Sequence, residues 1–254
     1  MDCVLFSGYC PRQRIGEYYN DYMIPLLSAY SDCDVIVGLS PQGFTRIRPL
    51  QNELISIAPE SRIVDSDVTG YQEALRVLKH SGKVYDKVYF IHTKGISYYD
   101  NTKRKEAREK YLYSFFRSRA EINDVLKNPF IGSWCHTGRL KDPTKDLGYF
   151  NKICDTTFNF THPWSGIECL FTLYCIKYDI LQRFFEGTDD SFFERNLVDI
   201  GHNRYFFEHI FPTITDRYGY YPYVKEFWDY NRETHLSMVS KWNPNFDMGR
   251  ELVW

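Results

Sequence analysis

The sequence predicts an α/β fold built on a mostly parallel sheet. Three observations carry this. Short apolar runs alternate with helix-like segments through the first ninety-odd of 254 residues. Each run ends in a polar or Gly/Pro-bearing segment. Residues beyond about 100 lose this rhythm and become rich in aromatic side chains.

The expected strands cover residues 2–6, 34–39, 62–64 and 87–91, each apolar enough to be buried on both faces. The expected helices cover 16–30, 46–57 and 69–79. In the third, Tyr71, Ala74, Leu75 and Leu78 recur at helical spacing, with Thr69 as the expected N-cap. Alternation of this kind implies parallel βαβ units. Further on, residues 102–127 read as one long charged helix closed by Asn128-Pro129. Residues 163–180 read as a buried strand or strand–helix unit, and residues 218–223 and 242–254 as covering loops. There is no internal repeat or low-complexity linker. Two halves are expected, 1–130 and 131–254, packed as one continuous globule.

Formal net charge is -2, which excludes a global attraction to nucleic acid. The chain holds 21 Tyr, 19 Phe and 5 Trp, so rings must build much of the core and can also form platforms for sugars or bases. Seven cysteines without CxxC spacing suit reduced thiols better than a disulfide framework or a zinc site. No run approaches the roughly 18 apolar residues of a membrane span, so a cytoplasmic protein is expected.

Ligands of parallel sheets sit beyond the carboxyl ends of the strands. The segments there are Ser7–Arg14, Ser40–Gly43, Asp65-Ser66-Asp67 and His92-Thr93-Lys94-Gly95. The last is the sharpest: a buried strand delivers an imidazole, a hydroxyl and an ammonium in succession, and a glycine lets the backbone pass close to a ligand. Lys94 can offset diphosphate charge, and His92 and Thr93 can donate to phosphate or ribose oxygens. The alternative for this segment is an ordinary polar turn. Asp65 and Asp67 form a DxD-like triplet whose paired carboxylates suit Mg²⁺ or Mn²⁺ on a diphosphate, or, as an acidic pair, the positive end of a helix.

From Asp67 to Ala74 and from Tyr85 to Gly95 the chain resembles GT-A-type glycosyltransferases. The likeness is greatest to bacterial and viral polysaccharide or lipopolysaccharide enzymes whose strand ends in His-Thr-Lys. The resemblance covers about the first 110 residues well. It implies a GT-A-like, Rossmann-like nucleotide-binding half that takes a UDP-, GDP- or dTDP-sugar, and an aromatic-rich half that takes a glycan or glycoconjugate. Ser7, Tyr9 and Arg14 would then face the nucleotide, with Tyr9 stacked on the base and Arg12 or Arg14 near phosphate, and Asp65 and Asp67 would orient the nucleotide-sugar. Where many relatives carry a metal-binding DxD, this chain has His92-Thr93-Lys94. Metal independence therefore stands beside a Mn²⁺ or Mg²⁺ requirement.

On the acceptor side the resemblance points to His162 and Trp164, with Asp229 as a further contact. Glu208 on a catalytic helix is the expected general base of an inverting transfer, with Glu168 and Asp229 as competitors. Two other readings stay open. One is a glycan-binding module on a transferase scaffold. The other is a metal-dependent hydrolase built from His92, His136, His162, His202 or His209, for which no HExxH or tight His/Cys cluster exists.

Overall fold

In a computed structural model the chain is described over residues 1–10, 14–40, 53–57, 67–93, 96, 102, 108–136, 138–140, 167–169, 172–194 and 206–225. Within them, the side chains of 67, 108, 109, 138–140, 168, 194 and 206 are not described.

A seven-stranded mixed sheet, mostly parallel, runs through the centre in the order β3-β2-β1-β4-β8-β5-β9. The strands are β1 (Cys3–Gly8), β2 (Asp34–Leu39), β3 (Glu53–Ile57), β4 (Lys87–His92), β5 (Ile131–Cys135), β8 (Tyr174–Lys177) and β9 (Tyr221–Val224). Strand β8 runs antiparallel to both β4 and β5, and the other neighbours pair in parallel. Strands β6 (Gly138–Leu140) and β7 (Ile167–Cys169) form a separate antiparallel ribbon. Strands from beyond residue 130 thus extend the sheet begun by the first ninety.

Helices cover both faces, as two-sided burial of parallel strands requires. One face carries α2 (Asp67–His80), α5 (Tyr178–Glu186), α6 (Ser191–Glu194) and α7 (Phe206–Arg217) over Leu5, Val88, Phe90 and Ile176. The other carries α1, a continuous helical segment of Ile15–Tyr18, a π-type turn Tyr19–Met23 and Ile24–Ala29. Beside it lie α3 (Arg108–Leu112 and Tyr113–Arg117) and α4 (Arg119–Val125) over Val4, Phe6, Tyr89 and Trp134. Large rings fill both cores: Phe90 sits 4.2 Å from Phe211, and Tyr30 sits 4.8 Å from Tyr89. The aromatic excess is in good part core.

Several elements differ from the sequence expectation. The segment expected as a helix over 46–57 ends in strand β3. Its Glu-Leu-Ile-Ser-Ile pattern suits an edge strand with one half-solvated side, and Leu54 and Ile57 are exposed there. The strand expected over 62–64 lies outside the described residues. Thr69 is not an N-cap, because α2 opens at Asp67 and Thr69 is buried in its first turn. The long helix expected over 102–127 breaks at Ser118 (φ -80°, ψ 1°), whose hydroxyl donates to the Ser114 carbonyl at 2.9 Å. Residues 221–223, expected within a covering loop over 218–223, belong to edge strand β9. Pro222 is tolerated because an edge strand can lack an N–H.

Six cysteines, Cys3, Cys10, Cys33, Cys135, Cys169 and Cys175, are buried free thiols, and Cys154 lies outside the described residues. No helix among the described residues is long and apolar enough to cross a membrane.

Candidate functional site at the carboxyl edge of the sheet

The chain lays β1, β2 and β3 side by side in one direction, then carries α2 back and places β4 on the other flank of β1. The β1/β4 boundary is therefore the point where strand order reverses, and a crevice opens beyond the carboxyl ends of such a pair. Ser7 stands opposite His92 in the register of these strands. Both are buried, His92 with 6% of its surface exposed.

Thr93 locks the two strand ends together. Its backbone N–H donates to the Ser7 carbonyl at 3.1 Å. Its hydroxyl accepts the Tyr9 N–H at 3.0 Å and donates to the Tyr9 carbonyl at 2.8 Å. The hydroxyl proton is thus spent inside the protein, which gives Thr93 a positioning part at this edge. Tyr9 is half-buried. The Cys10 thiol is pushed up to about 12 by burial, so it remains protonated and non-nucleophilic at neutral pH.

The first turn of α2 presses onto the same edge. A Cβ added at Gly70 would overlap the Ser7 hydroxyl and lie 2.7 Å from the Gly38 carbonyl oxygen. One added at Gly38 would overlap the Gly70 carbonyl oxygen and lie 2.7 Å from the Ala74 nitrogen. The two glycines therefore let helix and strand backbones nearly touch, which brings the positive end of a 14-residue helix toward the carboxyl ends of β1 and β2.

Tyr71, one residue on, joins this edge to the second half of the chain. Its ring is 6.2 Å from the His92 ring and 5.2 Å from Phe207, and its hydroxyl donates to the Thr172 carbonyl at 3.1 Å. Thr172 precedes β8 and holds a left-handed backbone (φ 50°) while buried, an uncommon and strained state for a β-branched residue. Phe207 opens the inward face of α7, so Glu208, half-buried in the first turn of that helix, belongs to the same end of the sheet.

The sequence-selected residues separate accordingly. Ser7, Tyr9, His92 and Thr93 come together, and Glu208 stands on the helix that meets them through Phe207 and Tyr71. Arg14 opens α1 with its guanidinium 3.5 Å from Glu17. Asp67 begins α2 and Glu168 lies in β7, but their side chains are not described. Arg12, Asp65, Lys94, His162, Trp164 and Asp229 lie outside the described residues. Among the described residues no three His, Cys, Asp or Glu side chains form a metal-binding group.

Sequence reading missed Tyr71 as a bridge, Thr172 as a strained turn, and the Gly38–Gly70 approach. Gly38, isolated inside an apolar strand, carried a signal of close backbone contact. Tyr71 read as an ordinary core position, and Thr172 had no signal.

No protein-family model matches the chain, and no curated protein sequence matches it.

Proposed function

We propose that this protein is a glycosyltransferase that moves a sugar from a nucleoside-diphosphate donor to a glycan hydroxyl, with inversion at the anomeric carbon. The observation that carries the reading is the meeting of Ser7, Tyr9, His92 and Thr93 at the strand-order reversal between β1 and β4, under the first turn of α2.

In this reading the donor diphosphate lies across the carboxyl ends of β1 and β4. His92 and Lys94, next along the chain from Thr93, supply a donor and a positive charge to its oxygens, and the end of α2 adds favourable potential. Thr93 fixes the strand ends against each other. Tyr9 offers a ring to the base. Glu208 accepts the proton of the acceptor hydroxyl as its oxygen bonds to the anomeric carbon. The carbon–oxygen bond to the diphosphate breaks at the same time, and the nucleoside diphosphate leaves with the electron pair. General-base help of this kind is worth about 10²–10⁴-fold in rate.

The test is a panel of UDP-, GDP- and dTDP-sugars, scored for a rise in unfolding temperature and for nucleotide release with glycan acceptors. A ligand that binds only the folded chain must stabilise it. At least one donor should do so and be consumed. If none stabilises the protein and none is consumed, the reading is discarded; glycan binding without turnover would replace it with a binding module.

A further inference from the structure

Tyr71 follows Gly70 at the point where α2 comes closest to β1 and β2, so its backbone is fixed against the sheet. The residue is buried. Its ring meets His92 at 6.2 Å, Phe90 at 5.9 Å and Phe207 at 5.2 Å. Phenylalanine fills neighbouring places in the same core, at Phe90 and Phe211. Packing therefore explains the ring of Tyr71 but not its hydroxyl.

That hydroxyl donates to the Thr172 carbonyl at 3.1 Å. Thr172 is buried with φ at 50°, a conformation that a β-branched residue keeps only where its surroundings hold it there. Several contacts surround this turn. The next carbonyl, that of Leu173, accepts the N–H of His136, which follows β5. Tyr174 then begins β8, opposite Phe90 in the register, and stacks on Phe211 at 5.1 Å with 24° between the planes. Phe211 stacks in turn on Phe207 at 5.7 Å, and Phe207 returns to Tyr71. The circuit from Tyr71 through Thr172, Tyr174, Phe211 and Phe207 closes on itself, and the Tyr71 hydroxyl makes the bond that closes it. His92 packs against this circuit from β4, and Glu208 follows Phe207 on α7.

We propose that Tyr71 is a positioning residue whose hydroxyl keeps Thr172 left-handed and so fixes His92 relative to Glu208. What those two side chains do chemically rests on the transferase reading; the coupling between them does not. Without the bond, Thr172 lowers its energy by returning to negative φ, which shifts the start of β8 and releases the circuit. Glycine takes a positive φ without penalty, so glycine at 172 should hold the turn even when the hydroxyl is gone.

The test uses histidine-labelled protein without ligand. The imidazole signals of His92 are assigned by their loss in H92Q. In Y71F they should shift or broaden, while those of His80, exposed at the far end of α2, stay in place. In Y71F/T172G they should return to their wild-type positions, and T172G alone should unfold at a higher temperature than wild type. His92 signals unmoved in Y71F overturn the proposal, as does a double variant still displaced. If Y71F does not fold, the double variant should; its failure to fold, or a T172G unfolding temperature below wild type, is equally fatal.

Activity separates this inference from the transferase reading. With a donor from the panel, turnover should fall about 10–10²-fold in Y71F and recover in the double variant. Displaced and rescued His92 signals with a negative donor panel keep the positioning part and remove the transferase. A consumed donor with unmoved signals does the reverse.

Discussion

Thr93 and Tyr9 are joined twice, the Thr93 hydroxyl accepting the Tyr9 N–H at 3.0 Å and donating to the Tyr9 carbonyl at 2.8 Å. One side chain thereby closes the gap left where the β1/β4 ladder ends. Thr93→Val keeps the shape and removes both bonds, leaving two backbone groups in need of partners. The expected loss is about 2 kcal/mol of stability, with a larger relative loss of donor affinity than the fold alone explains. Thr93→Ser, which retains the hydroxyl, should recover most of both. Urea unfolding and donor titration on the two variants check this; equal behaviour of valine and serine would remove the positioning part.

The approach of α2 to the sheet gives a second expectation. Gly70→Ala forces a methyl against the Ser7 hydroxyl and the Gly38 carbonyl, neither of which is the loose end of a flexible side chain. Overpacking of this kind costs about 1–3 kcal/mol and moves the helix end away from the edge. Gly16→Ala is the internal contrast, since a Cβ there meets nothing within 4 Å. It should stabilise α1 by roughly 0.5 kcal/mol through helix propensity. Thermal unfolding that ranks the two variants the other way would refute the close approach.

Glu208 tests the chemistry apart from donor binding. Glu208→Gln preserves size and the first turn of α7 but cannot accept a proton. Turnover should fall about 10²-fold or more while the donor still raises the unfolding temperature as in the wild type. Near-normal turnover would pass the role to Glu168 or Asp229. In the same assay EDTA should remove only part of the activity if Lys94 carries the charge that a metal carries elsewhere; complete loss restored by Mn²⁺ would assign that work to the ion.

What the sequence disclosed follows from which forces act locally. Strands β1, β2 and β4 are apolar runs buried on both faces, and a run of that kind reports its own burial. Strand β3 is an edge, so Leu54 and Ile57 face water and the pattern imitates an amphipathic helix. Strand β9 contains Pro222 among tyrosines, a composition that suggests a loop until edge position removes the objection. At the site, Ser7, Tyr9, His92 and Thr93 were visible because each follows an apolar run. Tyr71 and Thr172 depend on which strand lies beside which. The insertion of antiparallel β8 between β4 and β5 is a long-range fact that no local pattern records.

His136 should also shape the dependence of stability on pH. Its folded-state value of about 4 lies below the ordinary 6.5, because burial and then Lys225 oppose the charged form. Between these values the unfolded chain takes up a proton that the folded chain refuses, so unfolding gains as pH falls. The contribution is whole above about pH 6.5, declines through the window and is lost below about 4, with a total on the order of 3 kcal/mol. Carboxylates titrate over part of the same range, so the informative quantity is the difference between wild type and H136F. That difference should grow in favour of H136F from pH 7 to pH 4 and stay level from pH 7 to pH 8. Parallel urea-midpoint curves for the two proteins across this range would show that the imidazole is protonated in the folded state as readily as in the unfolded one.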